Sequence, residues 1–280
     1  VFAHGGSAKS LSVLAMAVSV ASGTPVLGTL HGDPGPVLYC DWEADPYIHA
    51  ERLRAICRGA GMDWIPSIHY RRMVANLPDA APVLRREVAR LKARLVIVDS
   101  LGLARGGEPE SADMTIRLFN AARSLEVPWI GIDHVARSRS EDADTPFGSI
   151  YTSTTARITW FLEKVQRAGE DALVVAFKNK KNNNKRLMRS HAYRVTFDND
   201  EAADELTSVV YENQDMLDIP ELAKHQPLVD RIRAQLRGGR MTVKDLATVL
   251  DVPQATVQVR VAEMRKKRGD LIHFPLDHTW

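Results

Sequence analysis

From Val1 to about Phe197, two kinds of apolar run alternate along the chain, and their spacing predicts helices and strands in turn. "SLSVLAMAVSVASG" is small and apolar on all sides and stops at Gly23, as a buried helix with a glycine terminator does. "GPVLYCDWE" is a short β-rich run after a Gly/Pro turn, and "YIHAERLRAICRGAG" is an amphipathic helix that again ends in glycine. "APVLRREVARLKA" predicts a further helix, leading directly into "RLVIVDS", a nearly uninterrupted apolar strand. "MTIRLFNAARSLE" followed by "VPWIGIDH" repeats that unit. Strands this apolar, with helices between them, need cover on both faces, which predicts an α/β fold with a mostly parallel sheet. "ARITWFLEKV", "DALVVAFKNKK" and "AYRVTFDND" read as hairpin-like strands that extend one edge antiparallel.

The pattern changes at "DNDEAADE", which is acidic and poor in apolar residues. The expected division is a core over 1–197, a linker over 198–226 with one or two short helical pieces, and a small domain over 227–280. In that last part "PLVDRIRAQLRGG", "TVKDLATVLD" and "PQATVQVRVAEMRKKRG" are three short helical patterns, and "DLIHFP" is a short strand. The succession is that of a winged helix-turn-helix. Thr242 is the expected helix cap and Val252–Pro253 the turn, with Leu246, Val249, Leu250, Val257, Val261 and Met264 at core spacing.

Composition narrows the picture only slightly. With 280 residues, 45% apolar and 26% charged, the chain has the make-up of an ordinary globular protein. No apolar run approaches the roughly 20 residues of a membrane span, and no signal peptide is visible; the expected location is cytoplasmic, away from membranes. Cys40 and Cys57 have no disulfide or metal spacing and read as buried thiols in a reducing compartment. A net charge of +2 implies no partner, so any nucleic-acid argument falls to local clusters. The chain starts at Val1 almost on its first motif, so the strand expected before that motif is only partly present.

That motif is "AHGGSAKS", residues 3–10, against the phosphate-loop pattern G-x-x-x-x-G-K-[ST]. Ala3 and Ala8 stand where glycines belong. Such a loop works through inward backbone N–H groups and a helix N-terminus, with a lysine on the β- and γ-phosphates and a hydroxyl on Mg²⁺. Gly5 and Gly6 keep the middle of the loop flexible, and alanine is the smallest replacement; a methyl at Ala8 strains the turn without abolishing it. Three apolar strands then end in polar residues. "RLVIVDS" ends in Asp99, a carboxylate placed to hold a metal-bound water. "VLYCDWEADP" brings Glu43, on a strand expected to neighbour that of the phosphate loop, as a base for an attacking water, with Asp41 and Asp45 as competing carboxylates. "VPWIGIDHV" ends at His134, a candidate sensor of the terminal phosphate.

In this order the motifs resemble the RecA-like P-loop ATPases, and within them the AAA_25 group and the RepA-type hexameric replicative helicases of phages and plasmids. The resemblance covers residues 1 to about 197 and is also carried by "PFGSIYTSTTARITWFLEK" and "VVAFKNKKNNN". It implies ATP and Mg²⁺ as ligands. His4, Gly5, Gly6, Ser7, Ala8, Lys9, Ser10 and Leu11 would hold nucleotide, Ser10 and Asp99 metal, Glu43 would be the base and His134 the sensor. It further implies a ring, expected to be a hexamer, in which a neighbour's basic residue completes each site. Lys178 and Lys180 of "FKNKKNNNKR" best match that finger, although Lys181 blurs the register and a solvated or DNA-contacting basic hairpin is the alternative. Arg157 is either structural or a second finger.

Along the candidate recognition helix, Thr256, Gln258 and Arg260 are placed to meet DNA, and Lys266 and Lys267 to meet phosphates. Docking to protein, or simple capping of the core, is the other reading of the same surface. The functional expectation is an ATP-hydrolysing motor acting on DNA, single-stranded at the core, as a replicative helicase or recombination motor of phage or plasmid type. The alternative is a DNA-binding regulator or loader that uses nucleotide only as an assembly switch, as the two alanines favour.

Overall fold

The computed structural model describes residues 1–28, 33–108, 110–135, 146, 150–166 and 172–266. The chain forms two compact units, Val1–Gln214 and Asp215–Trp280.

The first unit is built on β1 (Phe2–Ala3), α1 (Lys9–Ser22), β2 (Val37–Asp41), α2 (Pro46–Gly59), β3 (Ile68–Arg72), α3 (Leu77–Leu91) and β4 (Leu95–Asp99). α4 (Leu101–Arg105), α5 (Ala112–Arg123), β5 (Trp129–His134), α6 (Ile150–Thr155), β6 (Ile158–Val165), β7 (Ala172–Asn182), β8 (His191–Asp200) and β9 (Glu205–Gln214) follow. Among the described residues the strands make a nine-stranded sheet in the order β3-β2-β4-β5-β1-β6-β7-β8-β9. From β3 to β6 every pairing is parallel; β7, β8 and β9 add on antiparallel. β2 and β4 are buried at every position, so both faces are covered, and two apolar clusters flank the sheet. One contains α1 and α2; the other contains α3 and α5.

Two expectations need correction here. Residues 198–214 are not a linker. They complete the β8–β9 hairpin, paired from Ala192↔Gln214 to Asp200↔Glu205. "ELTSVVYENQ" hides its strand character because only Val209 is fully buried, and the acidic stretch is the hairpin tip. The strand leading to Glu43 also does not neighbour the phosphate-loop strand, since β4 and β5 lie between β2 and β1.

The second unit contains α7 (Pro220–Ala223), α8 (Leu228–Arg237), α9 (Val243–Leu250) and α10 (Gln254–Lys266). Thr242 caps α9, as expected, and it does so in a reciprocal capping box with Asp245. Asp251, left-handed at φ 52°, and Pro253 make the turn into α10. Ile232, Leu246, Leu250, Val257, Val261 and Met264 form the core. Val249, expected in that core, is 56% exposed, because the buried stripe of α9 runs through Leu246 and Leu250, one turn apart. The expected "DLIHFP" strand and Lys267 lie outside the described residues.

Candidate nucleotide site

β1 ends at Ala3 and α1 begins at Lys9, so residues 4–8 form a tight loop at a helix N-terminus. Gly6 has φ +68°, a conformation that suits glycine. Ala8 has φ 56° and ψ 27° at the helix N-cap, so a residue with a Cβ occupies the left-handed position for which the motif uses glycine. That costs about 1–2 kcal/mol. Ser7 Oγ donates to His4 O at 2.6 Å and steadies the turn. Lys9 is 7% exposed; its Nζ donates to Ala3 O at 3.3 Å and His4 O at 3.0 Å, the carbonyls of its own loop. Burial lowers its pKa, and the charges of Glu43, Asp99 and Asp133 oppose that shift.

At the tip of β4, Asp99 is 2% exposed. Tyr39 Oη, from the middle of β2, donates to Asp99 Oδ2 at 2.7 Å and fixes the carboxylate. Oδ1 is buried with no hydrogen-bond partner. Burial pushes the Asp99 pKa up to about 6; Tyr39 and a nearby Ser10 hydroxyl work against the shift, and Asp41 and Glu43 add to it. An unpaired buried carboxylate oxygen beside a serine hydroxyl fits Mg²⁺, which takes one or two protein oxygens and draws its other ligands from phosphates and water. Among the described residues no group of three His, Cys, Asp or Glu is placed to hold a metal; the fit is to a metal that arrives with nucleotide.

The competing carboxylates have other duties. Asp41 is buried, and its Oδ1 accepts from Glu43 N at 2.8 Å and Ala44 N at 2.9 Å, folding the turn after β2. Asp45 caps α2 by accepting from Tyr47 N. The chain leaves β2 over the neighbouring strand, Trp42 N donating to Asp99 O at 2.7 Å, and so carries Glu43 toward the strand tips. Ser100 Oγ donates to Glu43 Oε1, and His134 Nε2, at the tip of β5, stands 3.7 Å from the same oxygen.

Lys9, Ser10, Glu43, Asp99 and His134 therefore line one hollow of about 450 Å³ at the carboxyl ends of the strands, together with Gly6, Ser7, Ala8 and Leu11. His4 and Gly5 sit exposed on the outer side of the loop, the His4 ring edge-on to Phe161 at 6.1 Å. Arg52 of α2, Ser100, Phe197 of β8 and Leu206 of β9 also line the hollow and were not singled out from sequence. A larger cavity, about 840 Å³, lies at the opposite ends of β5, β1 and β6 and includes Trp129, Ile130, Ile158 and Trp160. It is dominated by apolar side chains and lies away from the phosphate loop, so the smaller hollow is the chemical candidate.

None of the basic residues of β7 lines that hollow. Lys178 is ion-paired with Glu163 on β6, Lys180 stands 5.4 Å over the Phe161 ring, and Lys181 donates to Ser153 O at 2.9 Å and Thr154 O at 2.7 Å. Arg157 is exposed before β6. Separately, in the second unit, Thr256, Gln258, Arg260 and Lys266 are all exposed on α10, Arg260 paired with Glu263 at 2.7 Å.

The sequence profile of AAA_25, described as an AAA domain, matches residues 1–140, half of the chain. The chain belongs to the AAA_25 family. No curated protein matches it in sequence. Among solved structures it is similar to a KaiC-like protein from the hyperthermophilic archaeon Pyrococcus horikoshii OT3, with 13% identity and a TM-score of 0.49 over 75% of this chain and 87% of that one. As an AAA_25 member with a phosphate-type loop on a mostly parallel sheet, the first unit is a RecA-like P-loop ATPase core. No helix among the described residues is long and apolar enough to cross a membrane.

Proposed function

We propose that this AAA_25 protein binds ATP with Mg²⁺, hydrolyses it, and works as a homo-oligomeric ring, a hexamer, on DNA. The observation that carries the reading is the meeting of Lys9, Ser10, Glu43, Asp99 and His134 around one hollow, from four separate strand ends. Lys9, released from its own loop carbonyls, would neutralise the β- and γ-phosphates, and Ser10 and Asp99 would hold the metal. Bound Mg²⁺ supplies charge neutralisation on the phosphates. Glu43, held in place by Ser100, orients a water and takes its proton, and His134, whose Nε2 stands 3.7 Å from Glu43 Oε1, senses the terminal phosphate. Lys178 or Lys180 serves the neighbouring subunit's site, consistent with neither lining its own. The exposed face of α10, with Thr256, Gln258, Arg260 and Lys266, meets duplex or single-stranded DNA. A cytoplasmic motor of phage or plasmid replication fits these parts, and the two free, buried cysteines suit a reducing compartment.

The deciding experiment is ATP turnover measured against protein concentration, with and without single-stranded DNA. Turnover that rises steeply with concentration and is stimulated by DNA supports the motor. ATP binding without turnover under every condition replaces it with the second reading, a nucleotide-switched DNA-binding regulator or loader. Two observations favour that second reading: the left-handed Ala8 and the engagement of Lys9 by its own loop.

A further inference from the structure

The phosphate chemistry of the hollow leaves two of its walls unexplained. Phe197 of β8 and Leu206 of β9 line it, and neither has anything to offer a phosphate or a metal. Both are half-buried, backed by the apolar cluster that contains α1. Their position comes from a set of contacts between the hairpin and α2. Leu206 N donates to Glu51 Oε1 at 2.9 Å, Arg54 Nη2 lies 3.8 Å from Glu205 Oε1, and Arg58 Nη1 donates to Thr207 O at 3.4 Å. Gly59 lets the strand come in closest, since a Cβ there would stand 2.0 Å from Val209 O. The hairpin is thus drawn over the helix that follows Glu43, and two apolar side chains arrive beside Leu11 in the first turn of α1. A nucleoside triphosphate has one part that such a surface suits: the flat apolar face of its base, whose polar edge stays free to meet water.

We propose that the β8–β9 hairpin is the base-binding wall of the site, with Phe197 and Leu206 receiving the apolar face of the base of a nucleoside triphosphate. This rests on the nucleotide reading above. It divides the hollow into a phosphate end, served by the loop and the strand tips, and a base end, served by a hairpin more than 180 residues away in sequence from the loop. Stacking on an aromatic side chain tolerates any base and is a matter of affinity rather than chemistry.

The test compares Mg·ATP with magnesium tripolyphosphate, which has the phosphates and lacks the base, by calorimetry on the full chain. Phe197→Ala is expected to weaken ATP about tenfold, the order of one lost base-stacking contact, and to leave tripolyphosphate within twofold of wild type. Phe197→Leu, which keeps the apolar volume and so preserves the fold, is expected to weaken ATP about threefold, again with tripolyphosphate unchanged. Equal loss for both ligands, or no loss for either, overturns the wall. If wild type binds tripolyphosphate and gains nothing from the base, the wall falls while the phosphate site stands. If wild type binds neither ligand, both fall together.

Discussion

Glu43 follows β2 and His134 ends β5, with β4 between the two strands, yet the His134 Nε2 atom stands 3.7 Å from Glu43 Oε1. The turn built by Asp41 closes that gap by taking the backbone of Glu43 and Ala44 onto its carboxylate. A base and an imidazole that share one oxygen's surroundings form a unit able to hold a water against a terminal phosphate. Glu43→Gln keeps the acceptor for Ser100 and removes the proton acceptor. The expected outcome is a loss of turnover of about 10²–10⁴-fold, with ATP affinity within about threefold of wild type. A variant that keeps more than a tenth of the wild-type rate removes Glu43 from the base's role.

The two alanines of the phosphate loop are not equivalent, although the motif treats both as missing glycines. Ala8 is left-handed at φ 56°, whereas Ala3 is a strand residue with no exposed surface. Ala8→Gly relieves about 1–2 kcal/mol of backbone strain and gives back part of it as unfolded-state entropy; the net expectation is about 0.5–1 kcal/mol of added stability. Ala3→Gly loses a buried methyl and gains nothing, a cost of about 1 kcal/mol. Urea unfolding followed by tryptophan fluorescence reports this unit, since Trp42, Trp64, Trp129 and Trp160 all belong to it. Shifts of the same sign in both variants contradict the geometry of the loop.

The strand tips were legible because an apolar run that stops at a polar residue is a local pattern, and Asp99 and His134 were read from it directly. Strand order is a long-range property, which is why the sequence suggests β2 next to β1, whereas two strands lie between them. Half-buried edge strands carry a weak pattern: "IHYRR" of β3 and "ELTSVVYENQ" of β9 alternate too little to stand out from loop. Tyr39 was hidden inside an apolar strand, where its hydroxyl looked like part of the core until it was seen on Asp99. Arg52 carries no motif beyond its place on an amphipathic helix, and only the packing of the hairpin on α2 brings Phe197 and Leu206 to the hollow. Lys178 carries a finger-like basic motif in the sequence; its ion pair with Glu163, the diagonal neighbour across β6 and β7, depends on the register of the two strands.

The buried Asp99 makes the nucleotide-free core sensitive to pH. Its folded pKa of about 6 exceeds the ordinary 3.8, so between the two the folded chain keeps a proton that the unfolded chain releases. Stability from this group is full below about pH 4 and is lost as pH rises through 6, by about 3 kcal/mol in all. Asp133, also raised to about 6, acts in the same direction, and His49, lowered to about 4, acts in the opposite one. Asp99→Asn leaves both of those in place, so the difference between wild type and variant isolates Asp99. The variant is expected to be the more stable above pH 6 by about 1–3 kcal/mol, and to match wild type at pH 4. Mg·ATP is expected to raise the melting temperature of wild type and not that of the variant. A wild type more stable than the variant at pH 7 without nucleotide contradicts the account.

A finger supplied in trans makes two kinds of damaged subunit complement each other. Lys9→Ala destroys the phosphate contact of its own site and leaves its β7 lysines intact for a neighbour. Lys180→Ala leaves its own loop intact and removes what it lends across the interface. In a ring, a mixed interface that joins the intact loop of one to the intact lysine of the other restores a site. Each variant alone is expected to fall at least about a hundredfold in turnover, the order of a lost electrostatic stabiliser, and an equal mixture to recover about a quarter of the wild-type rate if subunits assort at random. The check is steady-state phosphate release across mixing ratios, with a maximum near equal parts. A rate that only interpolates between the two variants places Lys180 outside the neighbour's site.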